Sequence, residues 1–228
     1  MISKQQIKSC LTSQKQMSES LILNLLLAFS GGFQDAYTYI VRDNVFANAQ
    51  TGNIVLMSTC LIGGDIRRGL MYLFPLFSFI TGIFISDNIQ FYFKNARKVH
   101  WRQGIIAAEI MIMLLAAFLS QSLNMLCNCL ISFSCALQVQ SFKKVHGNVY
   151  ASTMCIGNIR SGVVSFSNYL RLKKHNDLRK TLDYFSVIAV FAMGAGIGGN
   201  LSKLIGEKTI LVSFGILIVC GILMDLDR

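Results

Sequence analysis

The sequence predicts an all-α integral membrane protein, and three observations support this fold class. Of its 228 residues, 53% are hydrophobic and only 14% are charged, and the mean hydropathy is +0.52. Several apolar segments approach the roughly 20 residues that a membrane-spanning helix needs. The third observation is an internal repeat. The predicted spanning segments are 20–41, 69–93, 103–120, 123–142, 182–206 and 208–224.

The repeat relates two halves of the chain. Residues 65–88 align with residues 177–200 at a constant offset, and eight of the 24 positions are identical. Such self-similarity is typical of proteins built from repeated structural units. We therefore expect a short arm over residues 1–19 and a single transmembrane domain over 20–228, with halves of approximately 20–122 and 123–224.

Each half also contains a shorter apolar segment, at 51–64 and 156–170, and both segments begin at a Gly-Asn pair. A helix that starts there leaves backbone N–H groups unpaired, and small polar residues can cap them. Irregular backbone at membrane depth is tolerated where it is buried or lines a cavity. The alternative is an ordinary short helix whose glycines allow close packing. The residues that would line a solute site at these two starts are Asn48, Thr51, Gly52, Asn53, Gly157 and Asn158.

The distribution of basic residues favours short segments that enter and leave on the same side. With six spanning helices, fifteen Lys and Arg lie on the cytoplasmic side and five on the other side. With eight crossing helices and a parallel repeat, the numbers are eleven and nine. Because cytoplasmic loops are enriched in Lys and Arg, the sequence predicts six transmembrane helices plus two short re-entrant or half-length helices. Three crossings per half give an inverted repeat with both termini in the cytoplasm.

Ionisable and amide side chains within the apolar segments are functional candidates, since they are costly in hydrocarbon. Asp35 and Glu109 each lie inside a predicted helix, and Arg160 could neutralise one of these acids. Either carboxyl could instead have a structural role. The repeat places amides of the second half near the position that Asp35 occupies in the first. The amide candidates are Gln34, Gln138 and Gln140.

The net charge of +10 does not indicate a nucleic-acid-binding protein, because the basic residues occur in short loops without interleaved aromatics. The three histidines have no metal-ligand spacing. Gly194, Gly196 and Gly199 spell G-x-G-x-x-G, but no preceding strand makes this a dinucleotide site. We expect no enzyme, no metal and no cofactor. The expected partners are the lipid bilayer and a small solute, and nothing indicates an oligomer.

The chain resembles the YoaK-like family of small bacterial multi-pass membrane proteins. The resemblance rests on a G-F-x-D-A element followed by T-G-N. These residues are Gly32, Phe33, Asp35, Ala36, Thr51, Gly52 and Asn53. The second half departs from the family pattern at 136–139 and 156–157. The resemblance implies a protein of the bacterial cytoplasmic membrane and no particular substrate.

Together these features predict a channel or secondary transporter for a small solute. The alternative is a non-transporting scaffold, sensor or accessory subunit, in which the polar residues only hold helices together. Water access to Asp35 and to the turn at 51–53 would distinguish the two.

Overall fold

The computed structural model describes residues 17–93 and 101–226, and this part of the chain is almost entirely helical. Short 3₁₀ helices occur at Met17–Glu19, Gln121–Leu123 and Gly206–Ile210. A two-residue hairpin pairs β1 (Lys144–Val145) with β2 (Asn148–Val149). The α-helices are α1 (Leu21–Val41), α2 (Gln50–Ile62), α3 (Ile66–Phe93), α4 (Trp101–Phe118), α5 (Asn124–Ser141), α6 (Cys155–Leu172), α7 (His175–Ile205) and α8 (Leu211–Asp225).

Glycines bring α1 and α7 into close contact along parallel axes. A Cβ atom on Gly194 or on Gly198 would overlap the backbone of Phe29 or of Phe33, respectively. A Cβ on Gly32 would overlap the carbonyl group of Phe191. Small residues permit this close approach of helix backbones. The resulting van der Waals packing drives helix association in lipid, where no hydrophobic driving force acts between helices.

The helices α3 and α5 also run in the same direction. Gly82 of α3 lies against Phe133 and Ala136 of α5. Further along both helices the Ser86 and Ser141 hydroxyls are 3.0 Å apart. The helices α2 and α6 lie outside these pairs, with α2 packed on α3 and α6 packed on α7.

The two helix pairs are joined by contacts that show α1 and α5 to be antiparallel. Gln138, near the end of α5, donates to the Leu27 carbonyl in the first half of α1 (3.3 Å). Asn128, near the start of α5, donates to the carbonyl of Arg42, just beyond the end of α1 (2.8 Å). Consequently α1 and α7 run in one direction, and α3 and α5 run in the other.

The helices α4 and α8 form an antiparallel pair on the same core. Gln103 at the start of α4 donates to the Met224 carbonyl near the end of α8 (3.3 Å). Arg102 donates to the Ser141 carbonyl, so that α4 begins where α5 ends (3.0 Å). Hence α4 is parallel to α1, and α8 is parallel to α5. Buried side chains from α1, α4, α5 and α8 share one apolar cluster.

By length and composition, four stretches of the described residues are candidate membrane spans: Ile66–Phe93, Trp101–Phe118, Gln121–Ser141 and His175–Asp225. The last stretch comprises α7 and α8. Gly206 has a positive φ of 71° between them, a conformation that glycine adopts without steric cost. Tyr37 of α1 donates to the Glu207 carbonyl and Ser30 contacts Ser213, so α8 returns along α1 rather than extending α7.

Two predictions from the sequence differ from the structure. The segment 20–41, which the sequence predicts to span the membrane, forms α1, but α1 is not among the candidate spans, and its C-terminal half carries the polar residues Gln34 and Asp35. The segment predicted at 156–170 forms α6, which has 18 residues and is therefore as long as α4. The arm residues 1–16 and the basic residues at 94–98 lie outside the described residues.

Candidate functional site

The site begins where the chain turns back after α1. The loop from Arg42 to Ala49 folds along α1 instead of leaving it. The Asn48 backbone N–H donates to Asp35 Oδ1 (2.6 Å), and its side-chain amide donates to the Gly31 carbonyl (3.0 Å). Gly31 is the central residue of α1, and α2 starts two residues after Asn48. Helix α2 therefore starts level with the middle of α1.

The second half of the chain reaches the same place. The segment before α6 places the Thr153 side chain directly against Gly31, where a Cβ atom would overlap it. Next to it, Ser152 Oγ accepts a hydrogen bond from Gln138 Nε2 (2.8 Å). Ser152 and Thr153 are buried. The segments that precede α2 and α6 thus meet at the glycine in the middle of α1.

The two Gly-Asn asparagines hold these starts in the same way. The Asn53 amide accepts from the Phe46 N–H (3.0 Å) and donates to the Phe46 carbonyl (2.7 Å). The Asn158 amide makes the same two bonds to Ala151, at 3.3 and 2.7 Å. In each case the asparagine side chain binds the backbone N–H and carbonyl of the residue seven positions earlier and so ties the preceding loop to the first turn of the helix. We call this arrangement the asparagine clasp. Gly52 adjoins the first clasp and packs on the Phe46 ring.

Asp35 anchors the start of α2. Its buried carboxyl group accepts a hydrogen bond from the Asn48 backbone N–H (2.6 Å), and the backbone N–H groups of the neighbouring Ala47 and Ala49 also favour its charged form. These donors immediately precede the first turn of α2, where an acidic group is favoured by the helix dipole. In this conformation Asp35 therefore has a positioning role, because its carboxyl group fixes the backbone that leads into α2.

A network of buried polar side chains surrounds the meeting point. Gln34 Nε2 lies 2.8 Å from Ser213 Oγ and 3.0 Å from Ser30 Oγ, and Gln34 Oε1 accepts from the Cys135 thiol at 3.0 Å. These contacts connect α1, α5 and α8. Amide and hydroxyl groups of this kind can hydrogen-bond a polar solute. In the structure these groups hydrogen-bond one another.

Glu109 differs from Asp35 because its carboxyl group has no such partners. It lies at the middle of α4, its side chain is 0% exposed, and neither carboxyl oxygen has a hydrogen-bond partner among the described residues. Cys135, which donates to Gln34, shares one buried cluster with Ile106 and Met113, the residues about one helical turn on either side of Glu109. Glu109 therefore lies near the polar network.

The remaining predicted residues lie away from the meeting point. Thr51, Gly157 and Arg160 are exposed on the outer faces of α2 and α6. Gln140 donates to the Asp87 carboxylate (2.6 Å). Within the described residues the ion pair joins His146 and Asp183, so the structure does not pair Arg160 with either buried acid.

Sequence reasoning did not identify several residues of the site. Ser152 and Thr153 lie in a stretch without a motif, and Ser30 and Ser213 are ordinary serines in apolar helices. Arg42 follows α1 in a position that suggests an exposed loop, yet it is fully buried. Its guanidinium group donates to Tyr37 and Asn124 and to the carbonyls of Ala116, Leu119 and Ser120 at the end of α4. The only sequence feature that marks it is its place immediately after an apolar helix.

The fold and the composition define a helical, apolar, membrane-like protein, in which four stretches of the described residues are long and apolar enough to cross a membrane. The chain matches the family described as "Protein of unknown function (DUF1275)" over residues 23–223, and it belongs to that family. No curated protein and no solved structure matches the chain.

Proposed function

We propose that this protein is a channel or secondary transporter for a small polar solute, with the solute site where α2 and α6 begin. The observation that carries the proposal is the meeting of both helix starts at Gly31, halfway along α1 and within a buried polar network. Interrupted helices whose ends meet near the centre of the membrane are the usual construction of a transporter substrate site. The role is non-enzymatic and needs no cofactor and no nucleic acid.

The directions of the helices support a topology of six crossings. Helices α1, α4 and α7 run one way, and α3, α5 and α8 run the other. Helix α2 starts level with the middle of α1 and is followed by α3, which returns to the opposite end of the bundle. A helix that starts at mid-depth and ends on the side from which the chain entered is re-entrant. The same holds for α6, so that each half crosses three times and the halves are inverted.

Equivalent contacts in the two halves support the inverted repeat. Gly82 and Gly194, which are aligned in the sequence repeat, each face the backbone of a phenylalanine of the neighbouring parallel helix, Phe133 and Phe29. The asparagine clasp recurs with both of its hydrogen bonds. A twofold relation between the halves exchanges the α1–α7 pair with the α5–α3 pair.

In this proposed topology the start of α1 and the end of α8 lie on the same side of the bundle as the end of α5 and the start of α7, and both termini would follow on that side. The positive-inside rule assigns this side to the cytoplasm, since the basic residues of 171–180 lie there. With the family resemblance, this gives a multi-pass protein of the bacterial cytoplasmic membrane.

The alternative is a non-transporting scaffold, and one observation favours it. Most polar groups at the meeting point are paired with each other, as in Gln34 with Ser213 and Gln138 with Ser152. Such a network could lock the helices permanently. A transporter must exchange these bonds for bonds to water and solute during its cycle, whereas a scaffold keeps them.

Topology can be tested with single cysteines in a cysteine-free background. Arg67→Cys reports the start of α3, and Arg171→Cys reports the end of α6; both residues are exposed. A membrane-impermeant thiol reagent applied to intact cells and to inverted vesicles should label these two positions from opposite sides. Eight crossings require both positions to be labelled from the same side, a result that would overturn the re-entrant topology.

Water access can be tested at Ser152→Cys, which replaces one hydroxyl at the meeting point with a thiol of similar size. We expect a small water-borne thiol reagent to modify this cysteine in membranes. Ser86→Cys is a matched control, because Ser86 is equally buried but lies between α3 and α5. If Ser152→Cys stays as unreactive as Ser86→Cys, the meeting point is permanently dry and the scaffold is correct.

A further inference from the structure

A buried carboxyl group without hydrogen-bond partners demands a separate explanation. Glu109 lies eight residues after Trp101 and nine before Phe118, at the centre of α4. Its side chain is fully buried, and both of its oxygen atoms lack partners in the described part of the chain. Polar groups that are buried without a partner are rare because desolvation is not compensated.

The surroundings of Glu109 are apolar. Ile106 and Met113 lie about one helical turn before and after it on α4, and both are buried in the same core cluster. The thiols of Cys135 on α5 and Cys220 on α8 belong to the same buried cluster. None of the described charged side chains is paired with Glu109.

These surroundings suit a neutral acid and no metal ion. An ionised carboxylate would need a counter-ion or several N–H donors, and Glu109 has neither among the described residues. Hard metal cations such as Na⁺ or Mg²⁺ take several oxygen ligands, and thiols and alkyl groups do not supply them. A proton requires no further ligand, because it converts the carboxylate to an uncharged group that the apolar pocket tolerates.

We propose that Glu109 is a proton-binding site and that its proton is the coupling ion of the transport cycle. This assignment rests on the proposed function. In the closed conformation described here Glu109 holds the proton as a neutral acid between α4, α5 and α8. Separation of α5 from α4 and α8 admits water, and the proton leaves to that water. The thiol of Cys135 on α5 donates to Gln34, so the same separation opens the solute network.

Infrared spectroscopy of the purified protein in lipid nanodiscs tests the proton directly. At neutral pH we expect the carbonyl stretch of a protonated carboxylic acid, with the isotope shift that D₂O produces. The Glu109→Gln variant should lose this band. The Asp35→Asn variant, which removes a second buried carboxyl group, and the Asp87→Asn variant, which removes an exposed one, should both keep it. A Glu109→Gln spectrum that retains the wild-type band would overturn the assignment.

A second measurement uses the unmodified protein, so it does not depend on the folding of a variant. Hydrophobic carbodiimides react with protonated carboxyl groups in apolar surroundings and leave a stable adduct on the peptide. Dicyclohexylcarbodiimide should modify Glu109, as detected by peptide mass spectrometry. Raising the pH should suppress the reaction, because the reagent requires the protonated carboxyl group. The absence of an adduct on Glu109, with adducts on other acids, would refute the proton site.

The outcomes for the proton site and for the proposed function are independent. A protonated Glu109 with an unreactive Ser152→Cys means a buried neutral acid in a scaffold, which removes the coupling role. A reactive Ser152→Cys with an ionised Glu109 means a solute pathway that proton binding at this residue does not drive.

Discussion

The asparagine clasp makes a quantitative prediction about Asn53→Ala. The Asn53 side chain is fully buried, and its amide satisfies both the N–H and the carbonyl group of Phe46. Alanine keeps the helix and adds no strain, but it leaves these two backbone groups without partners. The cost therefore comes almost entirely from the lost hydrogen bonds.

The magnitude follows from the two bonds. A hydrogen bond contributes about 1 kcal/mol net, and a buried group left unpaired costs about 1–3 kcal/mol. For the two groups of Phe46 we expect Asn53→Ala to lower the free energy of unfolding by about 2–4 kcal/mol. Asn158→Ala should cost less, because its bond from the Ala151 N–H is longer, at 3.3 Å.

The assay is reversible unfolding in mixed micelles of detergent and sodium dodecyl sulfate, followed by circular dichroism. Asn88→Ala is the matched control. The Asn88 side chain is only partly buried, and its solvent-exposed hydrogen bond goes to the Phe84 carbonyl of its own helix, so its loss should change the unfolding free energy by less than about 0.5 kcal/mol. If Asn53→Ala is no more destabilising than Asn88→Ala, the clasp does not hold the start of α2.

Two further predictions concern packing and buried charge. Gly32→Ala should destabilise the protein by about 1–3 kcal/mol through overpacking, because its Cβ would meet the Phe191 carbonyl. Gly196→Ala on α7 faces open space and should be neutral or slightly stabilising in the same unfolding assay; equal effects would contradict the packing. Arg42→Met should cost about 3 kcal/mol, since buried carbonyls at the end of α4 lose their donor, whereas exposed Arg67→Met should be nearly neutral. An Arg42→Met protein as stable as wild type would refute the capping role.

The start of a separate helix after α1 could be predicted from the sequence, because the residues that determine it are local. A short apolar run beginning at a Gly-Asn pair indicates a helix start, and the structure begins α2 at Gln50 and α6 at Cys155. The sequence also indicates that Asn53 and Asn158 are equivalent. Their bonding partners lie seven residues away, which is beyond any local motif. For that reason the sequence alone predicts asparagines that face a solute, and it does not reveal the bonds to their own backbone.

The partners at the meeting point could not be predicted, because they come from distant parts of the chain. Thr153 reaches Gly31 across more than 100 residues, and Gln34 reaches Ser213 across 179. Serine and threonine are common in membrane helices, so their sequence carries no sign of this role. Arg42 follows an apolar helix, a position usual for an exposed loop cation, and only the open carbonyls at the end of α4 explain its burial.

The second half departs from the family pattern at Ile156, where the first half has Thr51. Both residues are exposed on the outer face of their helices, whereas the clasp asparagines are buried. The departure therefore falls outside the contacts that bring the two helix starts together. A difference that does reach the meeting point is the anchor. The start of α2 is held by the carboxyl group of Asp35, whereas the start of α6 is held by uncharged groups, among them the Gln138 amide, which donates to Ser152.

This difference predicts unequal mobility of the two helix starts. The carboxyl group of Asp35 bonds the Asn48 N–H at 2.6 Å and holds the segment before α2 on α1, so amides 47–49 should exchange with deuterium more slowly than amides 151–153. In native-state exchange the rate reports local opening, and the variant Asp35→Asn should remove most of the difference while leaving 151–153 unchanged. Equal protection of the two segments in the wild-type protein would mean that the Asp35 bonds do not govern opening. Faster opening at 151–153 would make the start of α6 the part of the site that moves first.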